Sequence, residues 1–552
     1  MAESEHHNDH THEHGHDHAH EKGPLQPSCD DEQKVLRGTL ASFYLYRRAA
    51  HFTFTHRRRR NFYSLPLAHQ EVLKSISYQS TLDKIDDCIE RNAHFAEALL
   101  LSGGESFGMD IRGIDKWKET ADQNDMDKAR STMKQFLRDW SKDGERERAE
   151  TYDPILEAIH RLFGEIKPRC DVRFLIPGAG LGRLAFEICR RGYKVEGNEV
   201  SYHQLIASNF VLNNTMKADE YVLHPFCLGF SHHRSRENQL RAITIPDVHP
   251  ATELNRVLEF VAPEGGHRAP GMYRYQPSQY FSMSAGEFVE SYNNPESAET
   301  FDCVVTCFFI DTARNLMDYL ETIRNILAPN GIWINHGPLL WHWEGADATA
   351  AQDPDGKKKG GKSLETAEGD AEDAETLQLP PNNTKSAFLQ SLTHSHTHGA
   401  DSGTHTHSHF EFESQAGSSS QTQTQPTSGL AGGHSHASPN GPEWRGSLEF
   451  TLDEVLALAK LYGFNIVEQK TGKVGYIEDE KCMGKYIYEP EFWIAVKTEN
   501  VSDVVKASFR KYDEDTDTEN EGGDGGEGSS GPGRPDMRAH VDDFQEAAGY
   551  YK

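Results

Sequence analysis

The chain has 552 residues, with 86 Asp and Glu against 57 Lys and Arg and a formal net charge of −29, a balance that argues against a nucleic-acid backbone as its main partner. Its eight cysteines stand at 29, 88, 170, 189, 227, 303, 307 and 482 without a C-x-x-C pair; this reads as reduced core thiols in a cytosolic or nuclear protein rather than a disulfide framework. No apolar run approaches the length of a membrane span and the first residues lack an apolar leader core, so neither a span nor secretion is expected.

Residues 1–32 are polar and carry eight histidines; such a segment buries too little apolar surface to offset its ordering entropy and is expected to be disordered. Residues 33–165 read as a helical region. Helical periodicity predicts helices over 32–47, 67–74, 81–101, 126–142 and 152–163. The basic run His56–Arg60 reads as a solvated helix face or a set of inter-segment salt bridges. In the fourth helix Gln135 and Arg138 lie three apart and share a face. That face is either solvated or forms a lid over a ligand, with Arg138 meeting a carboxylate.

From Val172 the pattern changes. A largely apolar run, 172–176, leads into Gly178, Gly180 and Gly182, then a helix-like run and a second strand ending at Glu199. Glycines at a strand-to-helix turn let a ligand approach the backbone, and an acid at the tip of the next strand suits a ribose diol. A helix over 202–212, a strand over 221–226 and an irregular insertion over 227–280 follow. In the strand beginning at Phe281, the exit carries Glu287 and Phe288, an acid for an exocyclic amine and a ring to stack on a base. The near-continuous apolar run 301–310 predicts a strand covered on both faces, ending at Asp311. An amphipathic helix (Leu316, Tyr319, Leu320, Ile323, Ile326, Leu327) stops at Pro329 and Gly331, and Ile332 begins another strand.

Residues 345–443 form a low-complexity insert rich in His, Ser and Gly. Thr451 and Glu454 have the spacing of a capping box, and 464–470 with 492–497 read as an antiparallel closing hairpin. Residues 501–552 are an acidic tail, expected to be disordered. The elements predict an α/β protein: a Rossmann-like seven-stranded sheet at 166–500 with an N-terminal helical extension and long disordered segments.

The G-x-G-x-G spacing resembles the first motif of class I S-adenosylmethionine methyltransferases. More specific stretches resemble the carnosine N-methyltransferase family: 134–140 (KQFLRDW), 177–185 (PGAGLGRLA), 307–313 (CFFIDTA) and 337–340 (GPLL) followed by His342. The resemblance implies S-adenosylmethionine as cofactor, held by Gln135, Arg138, Gly178, Gly180, Glu199, Glu287, Phe288 and Cys303. Arg138 would hold the methionine carboxylate and Glu199 the ribose. It places a small His-containing dipeptide at Asp311, His342 and Tyr488, and it implies a homodimer; from charge and hydropathy no nucleic-acid or membrane partner is expected, and no metal is expected at the site. Only the bare nitrogen of a neutral imidazole can attack a sulfonium methyl, so an Asp311 accepting the ring N–H would select the tautomer. The competing readings are methylation of protein histidine or another small molecule, and metal buffering. The latter rests on the histidine tracts His6–His20 and His394–His436, which hold sixteen of the 30 histidines.

Overall fold

The computed structural model describes residues 30–166, 168–262, 270–344, 411–414, 446–477 and 481–507. Both histidine tracts, the tail at 1–29, most of the 345–443 insert and the acidic tract after 507 lie outside the described residues. No helix among the described residues is long and apolar enough to cross a membrane.

The helical extension comprises α1 (Asp30–Ala50), α2 (Arg57–Tyr63), α3 (Leu67–Ser75), α4 (Tyr78–Ser106), α5 (Gln123–Trp140) and α6 (Glu145–Phe163). Five of them are the predicted ones; α2 continues from α1 through a π-helical turn at His51–His56. α5 opens on a reciprocal cap: the Asp122 carboxylate accepts from the Asp125 amide at 2.9 Å, and the Asp125 carboxylate accepts from the Asp122 amide at 3.2 Å. The basic run makes inter-segment contacts. Arg59 pairs with Asp83 and Asp86 at 2.6 Å each, and the Arg58 guanidinium lies 3.3 Å from the Phe230 ring centroid.

The α/β part holds α7 (Arg183–Cys189), α8 (Tyr202–Asn209), α9 (Arg236–Leu240), α10 (Pro250–Leu254), α11 (Phe288–Tyr292), α12 (Leu316–Ile326) and α13 (Leu452–Leu461). Its strands are β1 (Arg173–Pro177), β2 (Lys194–Glu199), β3 (Tyr221–Leu223), β4 (Ile243–Ile245), β5 (Leu258–Ala262), β6 (Gly271–Tyr275), β7 (Phe281–Ala285), β8 (Phe301–Cys307), β9 (Leu327–Gly337), β10 (Glu411–Ser414), β11 (Phe464–Thr471), β12 (Val474–Gly475), β13 (Ile487–Tyr488) and β14 (Glu491–Lys497). The main sheet has the order β10-β7-β2-β1-β8-β9-β14-β11. The first six strands run parallel, and β14 and β11 add antiparallel at the other edge. Seven of these strands are the predicted sheet; β10, from within the insert, extends its edge.

Three expectations change. The segment at 221–226 does not join the main sheet: β3 pairs antiparallel with β4. The insertion 227–280 is not irregular throughout, since it also holds α9, α10 and the β5–β6 ribbon; none of its apolar runs is long enough to announce them. β9 starts at Leu327 rather than Ile332, because the helix has ended at Ile326 before the proline.

The extension and sheet share one core. Leu40 and Phe43 of α1, Ile89 and Leu99 of α4, and Phe174 and Val195 of the sheet belong to the same buried cluster. A polar tie adds to it. Buried His203 of α8 lies 3.0 Å from Ser42 Oγ and 3.4 Å from Thr39 Oγ1. Burial pulls its pKa down to about 3, so the ring is neutral there.

Candidate active site

The chain leaves β1 toward β2 and β7 on one side and returns to β8 and β9 on the other. Ligands of open α/β sheets gather at such a reversal, outside the strand C-termini. After β1, Gly178, Gly180 and Gly182 take φ values of +64°, +59° and +74°, a region that disfavours side chains. A Cβ on Gly178 would stand 2.5 Å from the Phe309 ring, and one on Gly180 2.9 Å from Gln204 Oε1. At the tip of β2, Glu199 is buried, with Oε2 accepting from the Gly180 amide (2.9 Å) and Oε1 from Val200 (3.0 Å) and Ser201 (2.9 Å). Burial raises its pKa while the three amides oppose the rise. The predicted ribose acid is thus also the brace of the glycine turn, and Oε2 keeps a second lone pair for a hydroxyl.

The end of α5 docks on that turn. Trp140 is fully buried and donates Nε1–H to the Leu181 carbonyl at 3.0 Å. Arg138, its side chain 15% exposed, donates Nε–H and Nη2–H to the Asp139 carboxylate at 2.8 and 3.1 Å. Tyr152 donates to the same carboxylate at 3.0 Å. Burial opposes the Arg138 charge, but Asp139, with Tyr152 and Tyr476, holds its pKa well above the ordinary value. One turn earlier Gln135 Oε1 is buried without a hydrogen-bond partner, an orphaned acceptor that a bound group would satisfy.

Beyond β8 the backbone turns sharply. Phe308 has φ +53° and donates its amide to the His336 carbonyl at 3.0 Å. A phenylalanine in that region is a strained residue of the kind that clusters at functional sites. Asp311 follows, 3% exposed. Its Oδ2 accepts from the Leu340 amide at 3.0 Å, and its carbonyl accepts from the His342 amide at 3.0 Å. Burial holds the Asp311 carboxyl above the usual carboxylate range, opposed by the Leu340 amide and by His342.

An aromatic corner forms around Phe308, three residues before Asp311 in the chain. The Phe308 ring lies 5.3 Å from Tyr476 and 6.0 Å from Tyr488, the two tyrosines are 6.2 Å apart, and the Arg138 guanidinium lies 5.0 Å from Tyr476. Tyr476, just past β12, donates its amide to the Tyr486 carbonyl at 3.3 Å and is a diagonal neighbour of Tyr488, which the register of the β12–β13 ribbon pairs with Val474. The structure therefore brings Arg138 and Tyr488 to one corner through Tyr476. Phe308 and Tyr476 were not singled out from sequence. Left-handed φ at Phe308 leaves no local sequence signal, and Tyr476 sits in a short ribbon without periodicity.

Three predicted cofactor residues stand differently from expectation. Cys303 is not at the site: it is fully buried in mid-β8, opposite Phe174 and Ile332. It lies four residues, about 13 Å, from the strand end where ligands gather. Cys307 occupies that end instead, and burial pushes its thiol up to about 12 against the pull of Arg138. Phe288 is 3% exposed and packs edge-on against Phe309 (5.5 Å) and Tyr319 (5.3 Å). It is a wall of the second core cluster rather than an open stacking platform. Glu287 caps α11, its Oε2 accepting from the Glu290 amide at 2.8 Å, and burial pushes its pKa up to about 7. His342 is exposed and tied to Asp311 through the backbone.

The sheet order, the left-handed glycine turn and the acid at the tip of β2 define a class I S-adenosylmethionine-dependent methyltransferase. The cofactor of the class fits the chain on two structural counts: side chains are excluded from the glycine turn, and Gln135 Oε1 is left without a partner. The family description "Carnosine N-methyltransferase" matches residues 115–391. The carnosine N-methyltransferase of Schizosaccharomyces pombe is 38% identical over 334 residues, 60% of this chain and 83% of that one. That of Rattus norvegicus is 39% identical over 333 residues, 58% of this chain and 75% of that one. Among solved structures, a methyltransferase from Methanosarcina mazei aligns at 11% identity over 62% of this chain and 97% of its own, with a TM-score of 0.25. This chain belongs to the carnosine N-methyltransferase family.

Proposed function

We propose that this enzyme methylates an imidazole nitrogen of carnosine, giving anserine, with S-adenosylmethionine as donor. Bound at the glycine turn, the donor supplies an electrophilic methyl on a sulfonium. The protein's own part is to bind, orient and keep water out. Arg138 Nη1, the guanidinium nitrogen not engaged by Asp139, receives the donor carboxylate. Gln135 Oε1 gains the partner it lacks, and Glu199 Oε2 receives a ribose hydroxyl.

The observation that carries the reading is Asp311: a buried carboxylate with one amide donor on Oδ2, past the C-terminal end of β8 and three residues after Phe308 of the aromatic corner. A carboxylate poor in donors is a strong acceptor. It takes the imidazole N–H, which leaves the other ring nitrogen bare as the nucleophile and stabilises the imidazolium that forms. Phe308, Tyr476 and Tyr488 supply flat apolar surface for the ring. The product imidazolium loses its proton to water, so no further general base is required. Positioning of this kind can supply on the order of 7–11 kcal/mol.

The test is incubation of the purified full chain with labelled S-adenosylmethionine and, separately, carnosine, free histidine, other His dipeptides and a protein lysate. The reading expects label in carnosine well ahead of the rest. Label confined to protein histidine would replace it with a protein methyltransferase.

A further inference from the structure

The last carbonyls of a helix have no partner inside it. At the end of α5 each is met from elsewhere. The Leu137 carbonyl accepts from Ser141 Oγ (2.6 Å), and those of Arg138 and Ser141 accept from Arg148 Nη1 (2.6 Å each). The Asp139 carbonyl accepts from Arg183 Nη1 (2.8 Å), and that of Trp140 from the Asp247 amide (2.8 Å). The two arginines converge on one carboxylate. Asp247 Oδ1 accepts from Arg183 Nη1 (2.6 Å), and Oδ2 accepts from Arg183 Nη2 (3.2 Å) and Arg148 Nη2 (2.6 Å). The side chains of Arg148, Arg183 and Asp247 are 8%, 5% and 12% exposed.

Arg183 is the residue after the last glycine of the turn, and α5 carries Gln135 and Arg138. Asp247, on the insertion after β4, thus meets both halves of the donor site, with its amide on the Trp140 carbonyl and its carboxylate on Arg183 and Arg148, beside the direct Trp140–Leu181 and Arg183–Asp139 bonds. Stability alone is a poor reason for such a cluster, because buried ion pairs are often replaced by apolar groups without loss. We propose that Asp247 is a positioning residue for the methyl donor, fixing the end of α5 and the glycine turn in the register that donor binding requires. This rests on the donor-site reading above. Without Asp247, Arg148 loses that carboxylate while still facing Arg183, which keeps only the Glu187 carboxylate at 3.0 Å, and the end of α5 is the segment left to move.

The experiment compares wild type with Asp247→Asn and Asp247→Glu, using calorimetry with S-adenosylhomocysteine, steady-state kinetics and hydrogen exchange. Asp247→Asn is expected to weaken S-adenosylhomocysteine binding and raise the KM for donor about tenfold or more, with kcat at saturating donor within about twofold. Asp247→Glu recovers part of the affinity, and exchange in Asp247→Asn quickens at 135–141 and 178–183. Equal affinity in folded Asp247→Asn, or a fall in kcat with donor KM unchanged, overturns the inference. If that variant does not fold, the double variant Arg148→Gln/Asp247→Asn removes one charge of each sign and gives the same readout. Loss of fold in both assigns Asp247 to stability alone and overturns the inference too. Wild type that does not bind S-adenosylhomocysteine sinks the donor-site reading together with it.

Discussion

The Asp311 carbonyl accepts a hydrogen bond from the His342 amide at 3.0 Å, so the residue proposed to take the imidazole N–H also anchors the segment carrying the exposed histidine. The Leu340 amide adds a second tie, to Asp311 Oδ2. A carboxylate held at both its backbone and its side chain has little freedom to turn away, which is what selection of one imidazole tautomer demands.

Asp311→Asn keeps the shape and removes the charge. The amide can present its NH2 rather than an acceptor, so the tautomer is no longer enforced and the imidazolium no longer stabilised. Turnover of carnosine should fall on the order of 10²–10³-fold, with S-adenosylhomocysteine affinity within about twofold by calorimetry. A variant with wild-type kcat would remove Asp311 from the chemistry.

Tyr488 offers a ring edge-on to Phe308 at 6.0 Å. If flat surface is its contribution, Tyr488→Phe keeps most carnosine affinity and Tyr488→Ala raises the carnosine KM roughly two- to tenfold, the worth of one aromatic contact. A loss as large in Phe as in Ala would assign the hydroxyl, not the ring.

Glu287 binds a proton more tightly folded than unfolded, because burial pushes its pKa up to about 7 from an ordinary 4.5. Between those values the native state holds more protons than the unfolded chain, so this group makes stability fall as pH rises from about 4.5 to 7. Glu287→Gln removes that contribution. Melting curves across this window should show a smaller decline, or a rise, for the variant; parallel curves would show that Glu287 titrates normally.

Trp333 is fully buried on β9, donates Nε1–H to Thr306 Oγ1 at 2.8 Å and packs edge-on against Trp493 at 5.5 Å. Trp333→Ala should cost about 3–5 kcal/mol in denaturant unfolding. A cost below about 1 kcal/mol would mean that the core closes over the gap.

What could be read from sequence was what local spacing encodes. The glycine turn and Glu199 declare themselves because strand, turn and acid follow within one βαβ unit. Gln135 and Arg138 share a face because helical spacing requires it. Cys303 shows the limit: it and Cys307 alternate onto the same face of β8, and only the registers with Phe174 and His336 tell which stands at the strand end. Phe288 could be placed at a strand exit but not seen to be sealed by Phe309 and Tyr319. Phe308, Tyr476 and Asp247 act through contacts across long stretches of chain, for which periodicity gives no sign.

The most direct test of the central claim is a single turnover with the donor carrying a 13C methyl, with excess carnosine, followed by NMR. The account predicts one new N-methyl resonance on the imidazole ring, equal in amount to the S-adenosylhomocysteine formed and greatly slowed in Asp311→Asn. Folded enzyme that binds S-adenosylhomocysteine yet leaves the carnosine ring unlabelled would contradict it.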